Sequence, residues 1–194
     1  MLDEKVAHIE NDGVDITIAR TVPYTGKATI SRFKGSYSDY ATQNRRLINL
    51  LLASNLVTGE IVTAGSESYL TVVSKKEVVQ GVDVSIIAHG MLCNTTLTVT
   101  RDVATYDTDG NPTGSTPTSV INAIPCHAIQ INSRMRETDA GLLSNTVMKT
   151  YSAVANGLVN GDKASVFGRD YRVDDINLAE SVGCMVLQLS AWTG

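Results

Sequence analysis

The stretch "LVNGDKASVFGRDYRV", residues 158–173, decides the fold of its part of the chain. A Gly-Asp turn precedes one short segment and a second glycine precedes the next, which predicts two strands joined by tight turns. A related stretch, "LVTGEIVTAGSESYLTV", occupies residues 56–72. The same order of residues in two places predicts that one structural unit occurs twice.

The repeat extends beyond these two stretches. At a shift of 102 residues, Ser31-Arg32-x-Lys34 falls on Ser133-Arg134-x-Arg136, and Leu56-Val57-x-Gly59-Glu60 falls on Leu158-Val159-x-Gly161-Asp162. Further along, the shift matches Tyr69 with Tyr171, Gly81 with Gly183 and Val84 with Val186. Gly65 and Gly168 are out of step by one, which predicts hairpin loops that differ by one residue. We interpret the pattern as a tandem duplication.

The second copy is longer near its start. "ITIAR" at 16–20 resembles "LTVTR" at 97–101 with a shift of only 81, so additional residues follow the second of these segments. They are "DVATYDTDGNPTGSTPTS", residues 102–119, which are rich in Gly, Pro, Asp, Ser and Thr. This composition predicts a long inserted loop.

Most of the remaining pattern has a period of two, which is typical of strands with one face in a core. It is seen in "TTLTVT" (95–100), in "VDVSII" (82–87) and in "MVLQLS" (185–190). Taken alone, "ATQNRRLINLLLASN" (41–55) resembles a helix, but its partner "SNTVMKTYSAVAN" (144–156) favours a strand. One ancestral unit gives one structure, so both are predicted to be strands. "LDEKVAHIE" near the N-terminus predicts one short helix.

The predicted fold is therefore mainly β with little helix, in two tandem small antiparallel barrels or sandwiches of about six strands each. The predicted division is a segment at 1–13, a first repeat at 14–93 and a second repeat at 94–194. Nine residues are predicted to be structural turn residues: Gly59, Gly65, Tyr69, Gly81, Gly161, Asp162, Gly168, Tyr171 and Gly183.

Composition excludes several classes of protein. Of 194 residues, 43% are apolar and 19% are charged, which predicts a globular chain, and no apolar run approaches a membrane span. The charged N-terminus lacks a signal-peptide core, so synthesis and retention in the cytoplasm are expected. Three widely spaced cysteines predict free thiols. The net charge of -4 argues against binding nucleic acid through phosphates.

No catalytic or metal-binding constellation emerges from the sequence. Asp107, Asp109 and Asn111 resemble the start of a calcium loop, but Gly110 comes too early and Thr118 stands where the final acid is needed. Neighbouring residues of a strand face apart, so neither Cys126-His127 nor Asp174-Asp175 can share one site. No phosphate-binding glycine loop or nucleophile elbow occurs. The expectation is a protein that is not an enzyme and needs no cofactor or metal.

A modest set of charged residues is predicted to make subunit contacts, because too few aromatic residues accompany it to form a base-stacking platform. The candidate interface residues are Arg32, Lys34, Arg45, Arg46, Asp107, Asp109, Arg134 and Arg136.

Residues 160–192 carry a resemblance to a known family. A "GD-x-V-x-x-x-G-x-x-Y-x-V" hairpin followed by a glycine-led apolar strand resembles the head–tail joining and head-completion proteins of tailed bacteriophages. Gly161, Asp162, Gly168, Tyr171 and Val173 fit, while Ala164 replaces a valine. The resemblance covers 120–192 and reaches 14–92 through the repeat, where Thr71 replaces the last valine.

The resemblance implies a structural virion protein of the neck, a stopper or adaptor. It would form a homo-oligomeric ring between portal and tail that extends or closes the DNA channel and offers a tail-docking surface. The implied partners are further copies, a portal or adaptor protein above and a tail terminator or tube protein below, with passive contact to channel DNA and none to a membrane. Loops 34–44, 102–119 and 136–146 are expected to make the contacts. A tail terminator, or a two-domain β module that binds protein or carbohydrate, remains an alternative.

Overall fold

The structure is a computed structural model that describes residues 2–33 and 44–193. The described residues form two compact units. One comprises the residues up to Cys93 together with 181–184, and the other comprises 94–180 with the residues from 185 onward. The chain is mainly β, as the sequence predicts, and each unit contains one closed barrel of six antiparallel strands.

The first barrel follows the predicted N-terminal helix α1, Leu2–Asp12. Its strands are β1 (Val14–Ile18), β2 (Tyr24–Arg32), β3 (Arg45–Leu50), β4 (Ile61–Ala64), β5 (Glu67–Val79) and β6 (Val82–Leu92). A short 3-10 helix, Leu52–Ser54, follows β3. The strands close in the order β1-β2-β3-β6-β5-β4, and β4 pairs back onto β1.

The second barrel repeats this connectivity strand for strand. Its strands are β7 (Thr95–Tyr106), β8 (Pro112–Gln130), β9 (Met148–Ala153), β10 (Lys163–Val166), β11 (Arg169–Asn177) and β12 (Cys184–Ala191). Helix α2, Ser133–Thr138, lies between β8 and β9 and is capped by the Asn132 side chain, which accepts from Met135 N at 2.9 Å. The ring order β7-β8-β9-β12-β11-β10 is that of the first barrel. This identity supports the predicted duplication.

Within the stretch with a helical pattern, 41–55, the structure describes a strand at 45–50 and a short 3-10 helix at 52–54. β3 covers 45–50 and β9 covers 148–153, in agreement with the prediction drawn from the repeat. Ile48 and Leu50 point into the first core, while Met148 points into the second. Barrel closure therefore decides the structure of this segment over its local pattern.

The predicted difference in hairpin length is wrong. β4 and β5 are joined by Gly65-Ser66, and β10 and β11 by Phe167-Gly168, so both turns have two residues. Gly65 has a φ of 59°, and Phe167, its positional equivalent, has a φ of 51°. Both central residues of the second turn have positive φ, as a type I′ turn requires. The displaced glycine reflects a substitution and not a change in loop length.

The two cores explain the period-two pattern. Ile16 and Ile18 of β1 lie in one core, and Leu97 and Val99 of β7 lie in the other. β12 departs from simple alternation, because Gln188 and Ser190 are buried as well as Leu187 and Leu189. On its outer face, Gln188 is hydrogen-bonded to the segment after α2.

The inserted segment 102–119 is not the irregular loop that its composition predicts. It forms the outer part of a long β7–β8 hairpin, in which Arg101 pairs with Thr118 and Tyr106 pairs with Pro112. β7 pairs with β10 only over Leu97–Thr100, so the hairpin continues past the barrel wall. We call residues 101–119 the hairpin arm. Runs of Thr, Ser and Val suit an extended ribbon as well as a loop, and pairing decides between them.

Candidate interaction site

The Gly-Asp turn of the opening stretch is built around a buried carboxylate. Asp162 Oδ2 accepts the backbone N–H of Val159 at 2.9 Å, which closes the turn on itself. Gly161, with a φ of 97°, donates its N–H to Val173 O at 2.7 Å, and Val173 donates back to Asp162 O at 2.9 Å. The predicted turn residues thus fasten the β9–β10 connection to β11.

An arginine that the sequence reasoning missed completes this site. Arg101 Nε donates to Asp162 Oδ1 at 2.7 Å, and its Nη2 donates to Asp162 Oδ2 at 2.8 Å. The same Nη2 also donates to Gly157 O at 2.7 Å. Burial raises the pKa of Asp162, but the hydrogen bonds from Arg101 and Val159 outweigh it and hold the pKa below its usual value.

The first barrel contains an equivalent turn, in which the contact between the arginine and the carboxylate is longer. Glu60 Oε2 accepts Val57 N at 2.9 Å, and Gly59 donates to Thr71 O at 2.7 Å. Arg20 lies 3.6 Å from Glu60 Oε1 and donates to Ser54 O. The only signal in the sequence was the arginine that ends both "ITIAR" and "LTVTR". We call this pairing of an arginine with the carboxylate of the turn the clamp, and in each barrel it holds the turn in place.

The two matched tyrosines do not form turns. Tyr69 lies in the first core and its hydroxyl donates to Glu67. Burial and the Glu67 carboxylate raise the pKa of Tyr69 to about 12. Tyr171 packs at the edge of the second core. Gly81 (φ 81°) and Gly183 (φ 76°) do occupy positions with positive φ, where glycine is favoured.

The basic candidate residues of the first repeat lie on β2 and β3. Arg32 pairs with Arg46 across the two strands, and Arg45 lies opposite Met91 of β6. Arg46 donates to Arg45 O at 3.1 Å. Lys34, with most of the predicted contact loop 34–44, lies outside the described residues.

In the second repeat, Arg136 bonds to its own chain. It donates to Ser144 O at 2.9 Å and to Thr146 O, so it holds the chain that follows α2. Gln188 accepts from Leu143 N and from Thr146 Oγ1, each at 2.9 Å. The segment predicted as a contact loop, 136–146, is thus fastened to its own barrel. Arg134 lies on the same helix.

An ion cluster around the buried Lys149 fixes the other side of this segment. Lys149 Nζ lies 3.0 Å from Asp139 Oδ2 and 2.8 Å from Glu180 Oε1. Burial lowers the pKa of Lys149, but its hydrogen bonds to the two carboxylates reverse this effect and raise it. The hydrogen bond from Lys149 lowers the pKa of Asp139. These bonds to Lys149 and Gln188 tie the segment to β9 and β12.

The tip of the hairpin arm carries the remaining candidates. Asp107 Oδ1 accepts Asn111 N at 2.8 Å and Asp109 N at 3.0 Å, so its carboxylate closes the turn. Hydrogen bonds from Asn111 lower the pKa of Asp107. Asp109 is exposed beside it. The calcium-like pattern is thus an Asx-type turn in this structure.

Two findings limit other kinds of site. Within residues 2–33 and 44–193, no three or more His, Cys, Asp or Glu side chains lie close enough together to hold a metal ion. Across the same ranges, no helix has both the length and the apolar character needed to cross a bilayer.

Comparisons with known proteins give little help. No protein-family model matches the chain, and no curated protein sequence matches it. Among solved structures, the complex of MrkH from K. pneumonia with c-di-GMP aligns over 97% of this chain and 84% of that chain, at 8% identity. The TM-score is 0.18, so this alignment carries no argument about fold or ligand.

Proposed function

We propose that this chain is a structural neck protein of a tailed bacteriophage, made in the bacterial cytoplasm and assembled as a ring in the virion. The observation that supports the proposal most is the hairpin resembling head-completion proteins. Its residues Gly161, Asp162 and Val173 act together in one fastened turn. The ring would lie between portal and tail, extend or close the channel, and offer the tail its docking surface.

The two barrels suit a mechanical role. Each is closed, so its backbone hydrogen bonds leave no free sheet edge within the barrel wall, and a clamp fastens the connection between its third and fourth strands. A rigid mount of this kind can present exposed segments to neighbours. A duplicated protomer would build a ring from half as many chains as a single-barrel relative, or a taller ring.

The charge of the chain suits a channel that DNA passes without sticking. The net charge is -4, and the second repeat carries most of it, since residues 94–194 hold 7 basic and 10 acidic side chains. This part of the proposal needs acidic side chains in the lumen. An assembled ring with Lys and Arg lining its lumen would contradict it.

The test is assembly on a portal ring. We expect the purified chain, mixed with the portal of its own phage, to co-migrate with it by size-exclusion chromatography with light scattering. Replacing residues 103–118 with Asn-Gly should leave the circular dichroism spectrum and unfolding midpoint unchanged, yet weaken assembly. The control is Glu10→Lys/Asp15→Lys, two exposed sites that belong neither to the arm nor to any of the predicted contact loops.

The alternatives predict different results. A tail terminator would bind the tail tube and not the portal. A binding module of another class would stay monomeric beside both and bind a protein or carbohydrate ligand instead. A chain that ignores portal and tube alike would count against any virion role.

A further inference from the structure

Four pairs in the sequence place a glycine directly after an asparagine or aspartate: Asp12-Gly13, Asp109-Gly110, Asn156-Gly157 and Asn160-Gly161. In such a pair the main-chain nitrogen of the glycine can attack the side-chain carbonyl carbon before it, because glycine has no Cβ to obstruct the approach. With asparagine the attack releases ammonia, so the two Asn-Gly pairs are the candidates for deamidation. Both lie in the connection between β9 and β10.

A hydrogen bond from the glycine N–H opposes this attack. The nitrogen has to lose its proton and turn towards the side chain, and both changes break any bond that the N–H donates. Three of the four glycines donate such a bond: Gly13 to Ile9 O at 3.1 Å, Gly110 to Asp107 O at 3.1 Å, and Gly161 to Val173 O at 2.7 Å. The last of these bonds belongs to the turn that Asp162 closes.

Gly157 differs from the other three glycines. Its carbonyl accepts from Arg101 Nη2 at 2.7 Å, but its N–H donates no hydrogen bond within the part of the chain that the structure describes. The Asn156-Gly157 pair lies outside the strands, and both residues are exposed. Asn160 is exposed as well, so the state of the glycine N–H is what distinguishes the two asparagines.

The surroundings of Gly157 leave room for the main chain to turn. A Cβ placed on this glycine would have Val120 Cγ1 as its nearest neighbour, at 3.8 Å, which is an ordinary van der Waals contact. Gly157 has a φ of 89°, a conformation that glycine adopts without strain.

We propose that Asn156 is a site of spontaneous deamidation in the folded protein, and that the hydrogen bond from Gly161 to Val173 protects Asn160. The inference goes beyond the proposed neck function and does not rest on it. A covalent change of this kind alters charge and main-chain length at one defined place.

The reaction needs only water and a base from the buffer. The base takes the proton from Gly157 N, the nitrogen forms a bond to Asn156 Cγ, and the bond from Cγ to the amide nitrogen breaks. The amide nitrogen takes up a proton and leaves as ammonia, and a cyclic succinimide remains. Water then opens the ring at one of its two carbonyls, which gives aspartate or isoaspartate. No electrons are transferred, so neither an oxidant nor a reductant takes part.

The products act on one bond of the connection and not on the clamp. Isoaspartate adds a carbon to the main chain just before Gly157, whose carbonyl accepts from Arg101, so this acceptor is displaced. The bonds from Arg101 to Asp162, at 2.7 and 2.8 Å, do not involve this segment. The deamidated chain should therefore stay folded and separate on anion exchange by its added negative charge.

Peptide mass spectrometry of the incubated full chain tests the proposal. Both asparagines lie on one tryptic peptide, residues 150–163, so they are compared in the same sample, and fragment ions assign the change to one or the other. The chain is incubated at slightly alkaline pH and digested briefly at slightly acid pH, where the reaction is slow. Asn156 should deamidate about tenfold faster than Asn160 or more, because opening a hydrogen bond adds to the barrier at Asn160.

Unfolding in urea is the matched control. There neither glycine N–H is held by the fold, so Asn156 and Asn160 should react at similar rates. Asn156→Gln should remove the fast step and leave the slow one, since the longer side chain closes its ring far less readily. Asp162→Ala, which opens the turn, should speed the reaction of Asn160 in the folded protein but not in urea.

Two results would overturn the proposal. One is equal rates at Asn156 and Asn160 in the folded chain, which would mean that the bond to Val173 protects nothing. The other is an Asn156 that stays intact in the folded chain while the sample in urea reacts.

Discussion

The buried carboxylate of the second barrel allows a quantitative prediction. The side chain of Asp162 is 1% exposed and accepts three hydrogen bonds, two from Arg101 and one from Val159 N. Asp162→Ala leaves these donors without an acceptor. Loss of a buried, charge-assisted acceptor costs about 2–3 kcal/mol. The Arg101 side chain is 37% exposed and recovers water, so we expect about 2 kcal/mol.

The first barrel supplies the matched control. The Glu60 side chain is 17% exposed and its ion pair with Arg20 is longer, at 3.6 Å, so its main contribution is the bond from Val57 N. Glu60→Ala should therefore cost only about 1 kcal/mol, the typical value of a capping bond.

The assay is urea unfolding of the full chain. The single tryptophan, Trp192, lies 5.7 Å from Lys163 in the second unit, so its fluorescence reports on that barrel. Circular dichroism reports on both barrels. A loss of 2 kcal/mol should lower the urea midpoint of the Trp192 signal by about 1 M. The reasoning is refuted if Asp162→Ala leaves this midpoint unchanged, or if Glu60→Ala costs as much as Asp162→Ala.

Three further predictions concern turn strain and ionisation. Phe167→Asn should stabilise the second barrel by about 1 kcal/mol, because Phe167 is half exposed and has a φ of 51°, which asparagine tolerates better. Gly65→Ala should destabilise the first barrel by a similar amount, because Gly65 has a φ of 59°. The unfolding midpoint should rise for the first variant and fall for the second. The folded-state pKa of Asp162 lies below its unfolded value. Its contribution to the stability of the second barrel is therefore complete above the unfolded pKa, about 4, and is lost as pH falls through the folded pKa. Acid unfolding followed by Trp192 fluorescence should show this loss in the wild type but not in Asp162→Ala. The pKa of Tyr69 is raised from 10.0 to about 12, so the stability of the first barrel should fall as pH rises between these values, because the tyrosine ionises first in the unfolded chain. Tyr69→Phe should remove one high-pH ionisation step from the ultraviolet titration of the tyrosines. An unchanged titration would contradict the assignment.

The sequence by itself determined the repeat, the strands and most of the turns. These features rest on local signals: alternation of apolar residues puts one face of each strand in a core, and Gly59 and Gly161 mark places where the chain needs positive φ. Comparison of the two copies also corrected the helical pattern at 45–50, because barrel closure acts on both copies alike.

Only the tertiary structure decided which residues work together. Arg101 and Asp162 are 61 positions apart and meet because β7 pairs with β10. The same closure ties the segment after α2 to β12 and leaves the hairpin arm beyond the barrel wall. Composition could not distinguish the segment that is tied to its barrel from the hairpin that extends past it, because both are polar and contain glycine. Only the pairing of the strands around them sets the two apart. Long-range pairing, not local preference, assigns each polar side chain to a clamp, a tied segment or an exposed surface.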